Sequence, residues 1–302
     1  MAQQIFPSPG ARRILARPVP VMPGRSAAEL PELRAAAKSL AIADSLRILG
    51  TSGVSTRDTV VGGVPCLELL PDGSAAAWPV LYGFGGGFVQ GSPIEDLPIA
   101  APLCAATGAR IVIPEYRLAP EHPWPAAVDD GFAVYRTMAE GPFAIVGESA
   151  GGNLALSLML RAREERVPLP GAAALLSPWC DLRNSGDSLG FNDGRDPTLD
   201  ASSSWQAARH YAGQNCVDDP CISPVNGDFD AGFPPFVITT GTRDLHLSQS
   251  VQLSQVLRDS GVHVDLQVWE GLWHVFEWFD HLPEAGQSID RIAAHLVSNM
   301  GA

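Results

Sequence analysis

The chain has 302 residues, 46% of them hydrophobic, and a formal net charge of −13. That apolar share excludes a disordered chain and is enough for a large core. The negative balance, without any run of Lys and Arg, argues against DNA or RNA as a partner; the acidity serves solubility.

The first 28 residues hold four arginines and no acid. Pro7, Pro9, Pro18, Pro20 and Pro23 interrupt any helix there, and no continuous apolar stretch follows Arg12 and Arg13. The segment reads as an N-terminal arm, not a targeting peptide. Residues 31–49 suit a helix. Pro31 fits its first turn, Leu33, Ala37, Leu40 and Asp44 mark out one side, and Gly50 stops it. Two β-rich stretches, 59–61 and 64–70, flank Gly62 and Gly63 and predict a hairpin at a sheet edge.

Short apolar runs then alternate with helical stretches. The runs at 79–82, 110–114, 143–146, 172–176 and 235–240 lack polar alternation, as strands covered on both faces do. Helices are predicted at 125–140, 153–165 and 247–260. This rhythm implies right-handed crossovers and a mostly parallel sheet. Val262, Val264, Leu266 and Val268 alternate with polar neighbours, so the last strand reads as half exposed, and a helix at 286–300 closes the chain. Residues 181–230 show no strand and one candidate helix, "ASSSWQAARHYAG". Fifty residues are too many for a bare loop, so the stretch reads as an insertion covering the site.

The five cysteines, Cys66, Cys104, Cys180, Cys216 and Cys221, are an odd, scattered set rather than a disulfide framework. A reducing, cytoplasmic setting is expected. Cys216 and Cys221 lack a second pair at zinc-ligand spacing, so no metal is expected. No apolar run reaches the roughly 18 residues of a membrane span, so no membrane partner is expected either.

The strongest signal is "AIVGESAGGNLALSLML", which holds G-x-S-x-G at 147–151 between an apolar strand and a helix. Ser149 must sit on a sharp turn there, and side chains at 147 and 151 would collide with the flanking elements. The turn sets the hydroxyl over a helix N-terminus, where developing negative charge is favoured. A serine hydroxyl needs a base, and this kind of site runs in the order Ser, acid, His. Asp244 in "VITTGTRDL" and His274 in "VWEGLWHVF" each follow a predicted strand and emerge at the sheet's carboxyl edge. Asp181 follows the preceding strand and is the rival acid. His122, His210, His246, His263, His281 and His295 read as surface or core residues.

Three blocks together resemble the bacterial hormone-sensitive-lipase family (family IV) of α/β-hydrolase esterases: "GFGGGFVQGSP" at 83–93, "EYRLAPEHPWPAAVDD" at 115–130 and "GESAGGN" at 147–153. Residues 241–276 are similar to that family's acid and histidine region, and the likeness covers about 75–280. The resemblance implies an α/β-hydrolase fold: a mostly parallel eight-stranded sheet, helices on both faces and a helical cap. The cap would come from 1–55 and 181–230, and the hydrolase core from 56–180 and 231–302. It implies hydrolysis of short- to medium-chain acyl esters, with a small-molecule ester as partner and no cofactor. A homodimer is one assembly it leaves open. The wording "GTRD" and "WEGLWHVF" is also similar to members that hydrolyse lactones. A catalytically weakened small-molecule receptor of the same fold, or an amidase or peptidase, are further readings.

By that analogy the oxyanion donors are the backbone N–H groups of Gly86, Gly87 and Ala150, with Gly85 shaping the turn. Glycines let the backbone approach a ligand without a Cβ in the way. The family pattern carries a histidine before the three glycines, where this chain has Phe84. The ring cannot hydrogen-bond, so the loop is expected to be held by packing. Glu148 reads as a hydrogen-bonding residue of the elbow, and Glu121 and His122 as structural.

Overall fold

The computed structural model describes residues 7–17, 26–73 and 75–301. Its centre is one eight-stranded sheet: β1 Val54–Val61, β2 Val64–Pro71, β3 Val80–Gly83, β4 Ile111–Pro114, β5 Ala144–Glu148, β6 Ala172–Leu176, β7 Phe236–Gly241 and β8 Val264–Trp269. The spatial order is β1-β2-β4-β3-β5-β6-β7-β8. β2 pairs antiparallel with both β1 and β4, while every pair from β4 to β8 is parallel. The parallel strands β3 to β7 are buried along their whole length, which explains their unbroken apolar runs.

The helices are α1 Pro9–Leu15, α2 Leu30–Ser52, α3 Leu97–Thr107, α4 Ala126–Met138, α5 Ala150–Glu165, α6 Asp187–Phe191, α7 Ala201–Ala212, α8 Leu247–Asp259 and α9 Pro283–Met300. α3 and α9 pack together on one face of the sheet, and α4 packs on α5. A parallel sheet needs such cover, because both of its faces are apolar.

Four expectations change. The arm contains a helix, because Pro9 occupies a first-turn position where its missing N–H costs nothing, and Ser8 Oγ accepts the Ala11 N–H at 3.2 Å. Ala11 and Ile14 of α1 bury against Trp269, Leu272, Trp273 and Phe276, the loop around His274. Pro18, Pro20 and Pro23 lie outside the described residues. α2 runs past Gly50 and ends at Gly53, whose φ of 65° is the left-handed cap. Its inward stripe is Leu30, Arg34, Ala37, Ala41, Ser45 and Ile48, while Leu33 and Leu40 face outward. α3 is an addition to the expected elements, since Pro98 and Pro102 mask it in sequence; Pro98 is again a first-turn proline. In β8, Val268 is 44% exposed instead of inward, and Trp269 is buried.

Candidate active site

β5 passes directly into α5 through Ser149, held at φ 51°, ψ −117°. A non-glycine residue there is strained by about 1–3 kcal/mol and persists only if its surroundings enforce it. Here they do. A Cβ on Gly147 would collide with the Gly151 carbonyl, and one on Gly151 with the Gly83 carbonyl. Ser149 N–H is tied to the Leu176 carbonyl at 2.9 Å. Ser177 (φ 46°), Val275 (φ 47°) and Phe88 (φ 60°) share the left-handed region, and the Val275 N–H donates to Ser177 Oγ at 3.0 Å.

The sheet's carboxyl edge brings the candidate residues together. His274 Nε2 lies 2.9 Å from Ser149 Oγ, and His274 Nδ1 lies 3.0 Å from Asp244 Oδ1. Asp244 is fully buried and also accepts from Thr240 Oγ1 and the His246 N–H, both at 2.8 Å. Burial works to raise the Asp244 pKa, but the His274 charge and hydrogen bond outweigh it and hold the carboxyl below its usual range. Burial works to lower the His274 pKa, and Asp244 more than offsets it, so the imidazole sits above its ordinary value. The rival Asp181 turns elsewhere, with its carboxylate engaged by Arg183 and Ser185.

The glycine turn faces the serine. Gly86 has φ 104° and Gly87 φ 65°, conformations that favour glycine. Among the described residues, the Gly86, Gly87 and Ala150 N–H groups donate to no backbone carbonyl outside the regular elements. Phe84 is buried and stacks on Tyr116 with ring centroids 4.1 Å apart. The loop is not held by packing alone, as the sequence suggests. The Tyr116 hydroxyl donates to the Phe84 carbonyl at 2.6 Å. The polar brace thus acts on the backbone of residue 84 instead of its side chain.

Other neighbours are less visible in sequence. Glu148 is buried, with its carboxylate against Gly85 and facing Asp96. Burial first, then the Asp96 charge, pushes the Glu148 carboxyl far above its usual range; burial pushes Asp96 to about 7. His246, expected at the surface or in the core, is buried and also borders the site, edge-on to His274 at 4.8 Å between ring centroids. Burial, then the His274 charge, lowers its pKa to about 3, so it stays neutral. His210 borders the same cavity, whereas Glu121 and His122 do not. Glu121 instead pairs with Arg34 at 2.9 Å.

The cavity above Ser149 measures about 160 Å³. Leu30 of α2, Thr198 and Leu199 before α7, Ala207 of α7, Val89 and Trp179 contribute walls. Asp244, His246 and His274 bring potential metal-ligand atoms within 4.8 Å of one another, the one such group among the described residues. The His274 and Asp244 atoms already bond each other. Among the described residues, no helix is long and apolar enough to cross a membrane.

The same frame occurs in known proteins. A family profile described as alpha/beta hydrolase fold matches residues 80–278. An acetyl-hydrolase from Streptomyces hygroscopicus is 32% identical over 258 residues, 83% of this chain and 86% of that protein. An esterase from Acinetobacter venetianus is 31% identical over 252 residues, covering 81% and 82%. The crystal structure of a hormone-sensitive lipase from a metagenome library superposes with a TM-score of 0.87 at 32% identity, covering 97% of each chain. With its eight-stranded, mostly parallel sheet and these relatives, the chain belongs to the hormone-sensitive-lipase-like family IV of α/β-hydrolase esterases, which are carboxylic ester hydrolases.

Proposed function

We propose that the protein is a serine carboxylesterase that cleaves short- to medium-chain acyl esters through an acyl-enzyme. The observation that carries this reading is the unbroken contact chain from Ser149 Oγ through His274 to the buried Asp244. With Asp244 ionised, the Nδ1–H of His274 donates to it and Nε2 is left to accept the serine proton. Ser149 attacks the ester carbonyl, and the electron pair moves onto the carbonyl oxygen. Gly86, Gly87 and Ala150 N–H groups stabilise that oxyanion, each worth about 2.7–4 kcal/mol. His274 then gives its proton to the leaving alcohol. Water, activated by the same imidazole, releases the acid and restores the serine.

A cavity of about 160 Å³ suits a compact acyl or alcohol group, being smaller than the pockets that hold drug-sized ligands. The acetyl-hydrolase relative supports the same size class. The core is assigned to 56–180 and 231–302, and the cap to 1–55 and 181–230, since Leu30, Thr198 and Ala207 border the cavity. All five cysteines are unpaired, which supports a cytoplasmic setting. Ser149→Ala tests the reading. It should abolish p-nitrophenyl butyrate hydrolysis while the circular-dichroism spectrum is unchanged, and full residual turnover would refute it.

A further inference from the structure

We propose that Asp196 is a positioning residue of this site: a buried carboxylate, delivered by the segment between β6 and β7, that fastens the loop of the acid to the loop of the base. The inference rests on Ser149, His274 and Asp244 being the catalytic set. Asp196 is fully buried. Its Oδ2 accepts the N–H of Leu245, next to Asp244, at 3.2 Å, and the N–H of His274 at 3.1 Å. One oxygen therefore spans the turns that follow β7 and β8. Its Oδ1 accepts the Thr198 N–H at 2.9 Å, the Thr198 hydroxyl at 2.8 Å and the Leu199 N–H at 3.2 Å. Thr198 and Leu199 are cavity walls, and the Thr198 hydroxyl also lies 3.2 Å from the His274 carbonyl. Asp196 thus joins the substrate wall, the acid turn and the base turn at one carboxylate.

A buried carboxylate is costly unless its oxygens are satisfied. Five donors satisfy this one, and among the described residues no Lys or Arg side chain pairs with it. The cation it meets is the His274 imidazolium formed during the reaction. A fixed negative charge that gains a partner only then lowers the barrier instead of tightening the ground state. The titratable groups around His274 are Asp244, Asp196, Glu277 and His246. Burial, tempered by His274, pushes Asp196 to about 6, while Asp244 and Asp196 both help hold His274 above its ordinary value. Loss of the Asp196 charge therefore lowers the His274 pKa.

The test is Asp196→Asn, assayed with p-nitrophenyl butyrate from pH 4.5 to 9. The amide keeps the shape but cannot accept at both positions. We expect kcat to fall ten- to a hundredfold with KM within threefold, and the acid limb of kcat/KM to move to lower pH. Wild-type kcat with an unmoved limb in Asp196→Asn overturns the proposal. If that variant does not fold, Asp196→Glu decides: it keeps the charge but displaces the two loops the carboxylate joins, so kcat should fall at least tenfold, and wild-type kcat in that variant overturns the proposal. Failure of the parent reading is separate, because it shows as turnover by Ser149→Ala.

Discussion

The hydroxyl of Tyr116 reaches the carbonyl oxygen of Phe84 at 2.6 Å while the two rings lie stacked within 7° of parallel. Tyr116→Phe keeps the stack and deletes the hydrogen bond. A net loss of about 1 kcal/mol in stability is expected, with kcat reduced three- to tenfold as the glycine turn loosens. Urea denaturation and p-nitrophenyl butyrate kinetics measure both. An unchanged kcat would show that Tyr116 does not support the turn.

The same pair makes Phe84→His a poor improvement. The ring is buried and close to Gly91, so an imidazole there trades apolar packing for a polar group. We expect lower stability by about 1–3 kcal/mol and no gain in kcat beyond tenfold. A larger gain would mean that the native turn is compromised.

The elbow tolerates no side chain at two of its glycines. Gly147→Ala and Gly151→Ala each force a Cβ into backbone. Either the variant is not recovered folded, or its turnover falls at least a hundredfold. Circular dichroism with titration of the serine by phenylmethylsulfonyl fluoride separates the two outcomes, and near-native turnover would contradict the tight backbone contacts of the elbow.

Activity should fail on the acid side at a pH above that of a free imidazole, roughly 6.5. Asp244 is the reason, since it favours the charged ring. Catalysis needs the neutral ring, so kcat/KM declines as pH falls through the raised His274 pKa. Asp244→Asn removes the support and lowers kcat by about 10⁴. A midpoint below 6 in the wild-type profile would contradict the electrostatics described.

Stability should move the other way with pH. Asp96 holds its proton to about 7, and Glu148 beyond its usual range, because both are buried. Their unfolded counterparts lose protons near pH 4. The folded state therefore binds more protons in between. Its advantage is complete below about pH 4 and is lost as pH rises through 7, by about 1.4 kcal/mol per pH unit per proton. Asp244, held low, stays ionised from pH 5 to 8 and is silent there. We expect Tm to fall less, or rise more, with increasing pH in Asp96→Asn than in the wild type. Scanning calorimetry at four pH values suffices, and equal slopes for the two proteins would refute the assignment.

Much of the fold is legible in the sequence because it obeys strong local rules. β6 can be read to the residue, since five apolar residues between Gly171 and Ser177 leave no other boundary. The meeting of Ser149, Asp244 and His274 follows from strand ends and chain order. What escapes depends on distant partners. Pro9 looks like a helix breaker until Ser8 is seen capping it and Glu284 accepting the Ser8 N–H at 2.6 Å. Leu33 and Leu40 look inward because no local signal ranks them below Arg34. Asp196 sits in a stretch with no strand, and nothing near it in sequence reveals that two of its five donors lie 49 and 78 positions away.

Arg34 shows what such distance entails. From α2 its Nε reaches the Val89 carbonyl at 2.7 Å, while its other nitrogens hold the Ala119 carbonyl and Glu121. Val89 N–H in turn closes the turn on Gly86 at 3.1 Å. α2 therefore supports the glycine turn from behind as well as covering the cavity. A shortened protein lacking its first fifty-odd residues would be slow even toward an ester small enough to need no enclosure. With such an ester the defect would appear in the speed of bond-making.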